Sequence, residues 1–212
     1  MPRKIELPNL HFEQALWEGG LKLIAGLDEA GRGALAGPVA VGAVILPPDP
    51  QLPQTLAGVR DSKQMTPRQR DLCVPRIQAA ALAWSVAYAS AEEIDRWGIV
   101  SATRLAAARA LETLPKTPDY LLTDFRLEFP ECELPQTSLK RGDVCCLSIA
   151  AASVLAKTTR DALMRELDGQ HPGYGLGQNK GYGTQVHRSA MARLGYSPIH
   201  RKSFTLKELR IT

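Results

Sequence analysis

A mixed α/β sheet is the fold class this chain predicts, on three observations. Two apolar runs rich in strand-formers, residues 23–27 and 39–46, adjoin near the N-terminus. Further strand-like runs then alternate with helical patterns. Finally, residues 146–167 read as one long alanine-rich helix, with Ile149, Ala152, Ala156, Leu163 and Leu167 roughly on one face, suited to close packing on a sheet.

The elements can be justified in chain order. The run 23–27 ends at Asp28-Glu29 and a glycine-rich turn, Gly31-Arg-Gly33, and the run 39–46 stops at Pro47-Pro48. Thr66 and Gln69 have capping-box spacing with Pro67 at the first helical position, so a helix starts there, and Pro75 is expected to kink or restart it. Residues 83–88 alternate enough for a third strand. Ser90 and Glu93 open a short helix, and 101–114 is a helix ended before Pro115. Residues 120–124 read as a buried strand ending in Asp124, and 139–143 as a strand or its exit turn carrying Asp143. After the long helix come a glycine-rich loop, 173–183, and a helical stretch near 184–194.

Composition narrows the class of protein. Hydrophobic content of 44% and charged content of 23% in 212 residues exclude disordered, fibrous and coiled-coil chains. The run 39–46 is far short of the ~20 apolar residues a membrane helix needs. Arg3, Lys4 and Glu6 precede no apolar core, so no secretory signal is visible. Cys73, Cys132, Cys145 and Cys146 lack Cys-x-x-Cys spacing, which speaks against zinc and for a reducing compartment; the expected location is the cytoplasm. The net charge of +4 conceals a division. From His171 onward seven basic residues (Lys180, Arg188, Arg193, Arg201, Lys202, Lys207, Arg210) face one acid, Glu208, so this tail is +6 and the preceding body −2. A basic tail suits a polyanion partner, although a solvated terminal helix would look the same.

Asp28, Glu29, Asp124 and Asp143 stand where buried strands run out. Four converging carboxylates would repel and raise one another's pKa unless divalent cations neutralised them, and oxygen-only ligands suit Mg²⁺ or Mn²⁺. Two such ions ~4 Å apart can clamp the attacking and leaving oxygens of a phosphoryl transfer. Any one of these acids could instead cap a helix or pair with a base. The pattern Gly31-x-Gly33-x-x-x-Gly37 resembles a dinucleotide-binding fingerprint only weakly. Two acids would crowd the pyrophosphate, and Pro38 opens another strand-like run where a helix should continue. The glycines fit better as bare backbone approaching a phosphate or sugar.

Six motifs in order resemble prokaryotic ribonuclease HII. They are Asp28-Glu-Ala-Gly-Arg-Gly33 with Gly37-Pro38; Asp61-Ser-Lys63; Ser148-Ile-Ala-Ala-Ala-Ser153 through Ala156-Lys157 and Arg160-Asp161; His171-Pro172; Asn179-Lys-Gly-Tyr-Gly-Thr184; and His200-Arg-Lys-Ser-Phe204. The resemblance implies a ribonuclease H-like mixed five-stranded sheet flanked by helices, with a helical C-terminal region from about residue 171. Residues 1–20 would be an N-terminal extension and 21–212 the catalytic domain. The implied enzyme is an endonuclease that cuts RNA in RNA/DNA hybrids. It would also nick DNA duplexes 5′ to embedded ribonucleotides, leaving 3′-hydroxyl and 5′-phosphate ends. By the same resemblance Asp28, Glu29, Asp124 and Asp143 hold two divalent ions, Mg²⁺ or Mn²⁺. Asp28 bridges both, Asp143 lies on the nucleophile side, and Glu29 and Asp124 lie on the leaving-group side. Gly31, Arg32 and Gly33 match the segment that reads the 2′-hydroxyl and its phosphate, and Tyr182 the ring that packs on the following deoxyribose. Lys63 and Lys180 would contact phosphates, while His200-Arg201 receives no role.

The sequence departs from the family at Phe125, where glycine usually follows the acid, and at Cys145-Cys146, where small or polar residues are commoner. Both are expected to be packing. Ribonuclease HIII, which carries a sizeable N-terminal substrate-binding domain, fits less well with 27 residues before Asp28. A hybrid- or duplex-binding protein without cleavage activity is the alternative from another class; it would gain nothing from four negative charges under a phosphate. A monomer is expected.

Overall fold

The computed structural model describes residues 7–130 and 132–204; the charged residues Lys207, Glu208 and Arg210 of the expected basic tail lie outside them. The chain forms β1 (Ile24–Ala30), β2 (Val39–Ile45), β3 (Ala83–Ala89), β4 (Tyr120–Asp124) and β5 (Gln136–Leu139). Its helices are α1 (His11–Glu18), α2 (Leu52–Thr55), α3 (Pro67–Ala80), α4 (Ala91–Glu112), α5 (Gly142–Cys145), α6 (Leu147–Gln170), α7 (Leu176–Asn179) and α8 (Gln185–Leu194). The strands lie in the order β3-β2-β1-β4-β5. The first three form an antiparallel meander, and β4 and β5 join parallel to β1. This is the mixed five-stranded sheet flanked by helices that the sequence predicts.

Every residue of β1 and β2 is buried because helices cover both faces. Alternation assigns the faces. Ala25, Leu27, Val39, Val41, Ala43 and Ile45 pack with Ile94, Ala102, Ala106, Ala107 and Ala110 of α4. On the opposite face Val44 and Leu46 meet Ala150, Ala151, Ala152, Val154 and Leu155 of α6, together with Cys73 and Ile77 of α3. The α6 backbone lies directly on the sheet where Gly26 and Gly42 leave room. A β-carbon on Gly26 would strike the Ser148 backbone, and one on Gly42 the Ala152 carbonyl.

Helix starts follow the sequence signals closely. Thr66 and Ser90 both form reciprocal capping boxes, with Gln69 and Glu93. The kink expected at Pro75 is not a restart: α3 continues through it. Pro75 is exposed, so the carbonyl deprived of its N–H faces water. The two helices expected at 90 and 101 meet within α4, interrupted only at Gly98, whose φ of 79° is non-helical. At its other end the sheet runs out at Leu139, and Arg141, at φ 60°, turns the chain into α5.

The N-terminal segment is tied into this frame. Phe12, Leu16 and Trp17 pack against Ile24, Leu122, Cys146 and Ile149. The fully buried Glu13 accepts hydrogen bonds from Ser148 N (2.8 Å) and Cys146 Sγ (3.1 Å), placing a carboxylate at the N-terminus of α6. Among the described residues no helix is long and apolar enough to cross a membrane, and the four cysteines are free thiols.

The glycines under α6 make a direct prediction. Gly42→Ala should cost ~1–3 kcal/mol by forcing helix from sheet. Gly169→Ala, at an open position of α6, should stabilise by up to ~1 kcal/mol through helix propensity. Urea midpoints measured in parallel check both; equal shifts would mean that α6 does not rest on Gly42.

Candidate active site

Strand register brings the acids together. Leu27 of β1 pairs in parallel with Thr123 of β4, so Asp28 and Asp124, each one residue further on, end level on the α6 side of the sheet. Oxygens of Asp28, Glu29 and Asp124 all lie within 4.8 Å of one another. Asp143 arrives from α5. The Asp124 carboxylate anchors that turn by accepting Gly142 N at 2.8 Å. The left-handed Arg141 is the residue that makes the approach possible.

These carboxyl groups are electrostatically uncomfortable without a cation. Burial first, then the Glu29 charge, pushes the Asp28 pKa well above the ordinary carboxylate range, against a hydrogen bond from Ser153 and the charge of Lys63. Burial and the adjacent Asp61 push Asp143 up to about 6. Burial works against the charge of Lys63, but Asp28, Asp143, Asp61 and Glu29 outweigh it and raise its pKa; its Nζ is 3.9 Å from Asp143. Asp28 Oδ2 and Glu29 Oε2 are buried without a hydrogen-bond partner among the described residues. Clustered hard oxygens with unspent lone pairs fit Mg²⁺ or Mn²⁺. The residues present therefore suit the divalent ions that the sequence implied.

Two clefts meet over this cluster. One, of about 450 Å³, is lined by Glu29, Asp61, Lys63, Asp124, Phe125, Lys140, Arg141 and Asp143. The other, of about 140 Å³, is lined by residues 29–33 with Ser62, Lys63, Lys157 and Tyr182. Of the residues singled out in the sequence, Gly31, Arg32, Gly33, Lys63 and Tyr182 thus share one cleft with Glu29. Lys180 lines neither. Its Nζ donates to the Gly177 carbonyl, and its own carbonyl accepts from Arg160. Lys157 is the second lysine of the cleft; the Ala156-Lys157 step gives it no role in the sequence, and its Nζ pairs with Asp161 Oδ1, one helical turn on, at 2.7 Å. Asp61 likewise receives no role in the sequence. Its carboxylate caps the short 3₁₀ turn Ser62–Gln64 through Lys63 N, 2.9 Å. Arg70 pins that turn to α6 through Ser62 O, Met65 O and Asp161.

Buried arginines shape the glycine-rich loop. Arg160 donates to Pro38 O, Ala36 O and Lys180 O, and Arg201 to Gly37 O and Arg32 O. A side chain on Gly31 would collide with the Arg160 guanidinium. Lys157 and Arg160 of α6 lie 5.1 and 5.5 Å from the Tyr182 ring centre, so two cations of one helix lie against the ring. Burial and the neighbouring Arg160 push the Arg201 pKa down to about 9, which leaves it charged at neutral pH.

His200 belongs to the same support. Ser197 N donates to His200 Nδ1 (3.0 Å), and His200 Nε2 lies 3.1 Å from His187 Nε2. His187 Nδ1 in turn meets Tyr182 O at 3.0 Å. One pair of neutral tautomers satisfies every link, with His200 Nε2–H donating to His187 and His187 Nδ1–H donating to Tyr182. His200-Arg201, which received no role in the sequence, therefore buttresses Tyr182 and the glycine loop.

The comparisons with known proteins agree with this architecture. A family model described as Ribonuclease HII matches residues 25–207. The curated Ribonuclease HII of Anaeromyxobacter sp. (strain Fw109-5) is 51% identical over 92% of this chain, which spans 60% of that relative's length. The Ribonuclease HII of Dehalococcoides mccartyi (strain ATCC BAA-2266 / KCTC 15142 / 195) is 47% identical over 96% of this chain and 95% of its own. Among solved structures, ribonuclease H2 of Pyrococcus horikoshii OT3 superposes with a TM-score of 0.71 at 25% identity, covering 86% of this chain and 93% of that one.

The histidine relay carries a pH prediction. Burial and then His187 lower the His200 pKa from the ordinary 6.5 to about 4. The unfolded chain binds the extra proton between those values. This contribution to stability is full above pH 6.5 and is lost as pH falls toward 4. The raised Asp28 and Asp143 act in the opposite direction. The measurement is therefore the difference in melting temperature between the parent and His200→Asn: it should narrow from pH 7 to pH 5. A constant difference would mean that His200 is not held neutral.

Proposed function

The chain belongs to the ribonuclease HII family, and from that membership and its carboxylate site we propose a metal-dependent endoribonuclease acting on RNA/DNA hybrids. We further propose that it nicks duplex DNA 5′ to an embedded ribonucleotide, leaving 3′-hydroxyl and 5′-phosphate ends. The observation that carries this reading is the cluster of Asp28, Glu29 and Asp124, with buried oxygens lacking partners, beside a cleft of bare glycine backbone.

Asp28, Glu29, Asp124 and Asp143 would hold two divalent ions, Mg²⁺ or Mn²⁺. When bound, such ions supply a lowered pKa for the attacking water and neutralise charge on the departing 3′-oxygen. The remaining work falls to the chain's own groups. The backbone of Gly31, Arg32 and Gly33 meets the ribose 2′-hydroxyl, the one group that distinguishes RNA from DNA at a single position. Tyr182, braced by Lys157 and Arg160, offers its ring face to the next deoxyribose. Lys63, whose side chain is exposed, contacts a phosphate and fixes register without reading sequence; Lys157 would join it only by leaving Asp161, 2.7 Å from its Nζ, and Lys180 only by leaving Gly177. Direct attack by water needs no nucleophilic side chain. Ser62, the serine of the glycine-lined cleft, is already bonded to Ser153 Oγ at 2.8 Å. One set of carboxylates serves one phosphodiester, so the proposed working unit is a monomer, acting in the cytoplasm where free thiols stay reduced.

The test compares a DNA duplex holding one ribonucleotide with a uniform RNA/DNA hybrid, in Mg²⁺ and in EDTA. Cutting in Mg²⁺ alone is expected, with Asp28→Asn and Asp124→Asn abolishing it while binding largely persists. Near-normal cleavage by either variant removes that residue from catalysis, and binding without cutting by the parent supports a non-catalytic binder instead.

Affinity should also fall steeply with salt. Lys63→Ala should make the slope of log affinity against log salt shallower by ~1, the signature of one lost phosphate contact. An unchanged slope from filter binding across a salt series would remove Lys63 from the interface.

A further inference from the structure

Phe125 follows Asp124 directly, in the short 3₁₀ turn Phe125–Leu127, and is not the packing residue expected from the sequence: the turn leaves it 62% exposed. A solitary exposed apolar side chain is ordinary, but the position of this one is not. Among the described residues it is the one exposed large hydrophobic that lines the carboxylate cleft. Besides Lys63, two further exposed cations, Lys140 and Arg141, line the same cleft. An aromatic face beside paired cations is the chemistry that holds a nucleotide, with sugar or base on the ring and phosphate on the charges.

Topology fixes which nucleotide. The two clefts share Glu29 and Lys63. Tyr182 belongs to the side of β1 that carries the β1–β2 loop, bonded through Arg160 and Arg201, whereas Phe125 follows β4 on the other side of β1. A strand laid across the end of β1 therefore meets Tyr182 on one side of the acids and Phe125 on the other. Resting on the proposed function, in which Tyr182 takes the nucleotide 3′ to the ribonucleotide, we propose that Phe125 packs on the sugar of the nucleotide 5′ to the cleaved bond, with Lys140 and Arg141 on its flanking phosphate. Within a duplex the bases are already stacked on each other. The sugar is the apolar surface left for a ring that approaches from the backbone. The two aromatic side chains then bracket the scissile phosphate and limit its sliding over the carboxylates.

The experiment measures binding of a duplex with one ribonucleotide by fluorescence anisotropy, in an Asp28→Asn background so that no cutting intervenes. Phe125→Ala should weaken binding about tenfold, and Phe125→Trp should restore it to within about twofold; circular dichroism confirms that each variant folds. Replacing the 5′-side nucleotide with a propanediol spacer removes the sugar and base but keeps the phosphodiester. That spacer should cost the Phe125 protein about tenfold and the Phe125→Ala protein almost nothing more. The same spacer placed 3′ to the ribonucleotide should penalise both equally. Full affinity in Phe125→Ala, additive penalties at the 5′ spacer, or non-additivity at the 3′ spacer instead would each overturn the proposal. Cleavage of the same duplex by the unaltered chain reads the activity separately. Cutting with no Phe125 effect sinks this inference alone, and a Phe125-dependent affinity without cutting sinks the activity alone.

Discussion

Two buried guanidiniums set the shape of the site. Arg160 and Arg201 are nearly inaccessible to water, yet neither makes a carboxylate ion pair among the described residues; all three Arg160 nitrogens, and Nε and Nη1 of Arg201, donate to backbone carbonyls instead, leaving Arg201 Nη2 buried without a partner among those residues. Removing a cation from water is costly unless its donors are satisfied. Here each arginine gathers carbonyls from segments that would otherwise be free loops. The segment 31–38 is thereby drawn against Lys180 and residue 201, and Tyr182 comes to stand over the glycines. The same charges account for the glycines themselves. At Gly31 and Gly37 the space a side chain needs is taken by Arg160 or Met164, and φ is 89° and 80°.

The acids depend on a different constraint, the parallel pairing of β1 with β4. Hydrogen bonding between those strands holds Asp28 and Asp124 level although their charges oppose it. The helix across the sheet completes the arrangement, because Ser153 of α6 reaches Asp28 and Ser62. That reach is possible only because Gly26 and Gly42 let the helix backbone settle onto the strands. A rigid frame thus carries the electrostatic strain, and the strain is a form of preorganisation for cations.

Much of this was legible in the sequence, for a simple reason. Strands end where apolar alternation stops, so Asp28, Glu29 and Asp124 announced themselves as strand-end acids, and the capping boxes at Thr66 and Ser90 announced two helices. Asp143 was visible as an exit-turn acid, although nothing local revealed that Asp124 would anchor its turn. What stayed hidden was the partnering of polar groups across long stretches of chain. Glu13 gives no sign in sequence that it will cap α6, and Arg201 looks like one more basic tail residue until its carbonyl partners are seen. Lys180 shows the converse: its position in a glycine-rich motif suggested a phosphate, while the left-handed backbone at that residue turns its amine onto its own loop. Pro75 left a kink and a restart open, because whether a helix continues through proline depends on exposure, which a single sequence does not display.

The distances along the chain between these partners have a consequence for synthesis. Arg201 bonds Arg32 across 169 residues, and Glu13 bonds Ser148 across 135. A ribosome releases Asp28 and Glu29 early, but the strand that aligns Asp124 beside them, the turn that brings Asp143, and the arginine that closes the glycine loop all emerge later. A growing chain therefore carries acids without a frame to hold them. The set of carboxylates is aligned only once segments from Asp28 to Arg201 have all emerged, so an unfinished copy carries the acids without their arrangement.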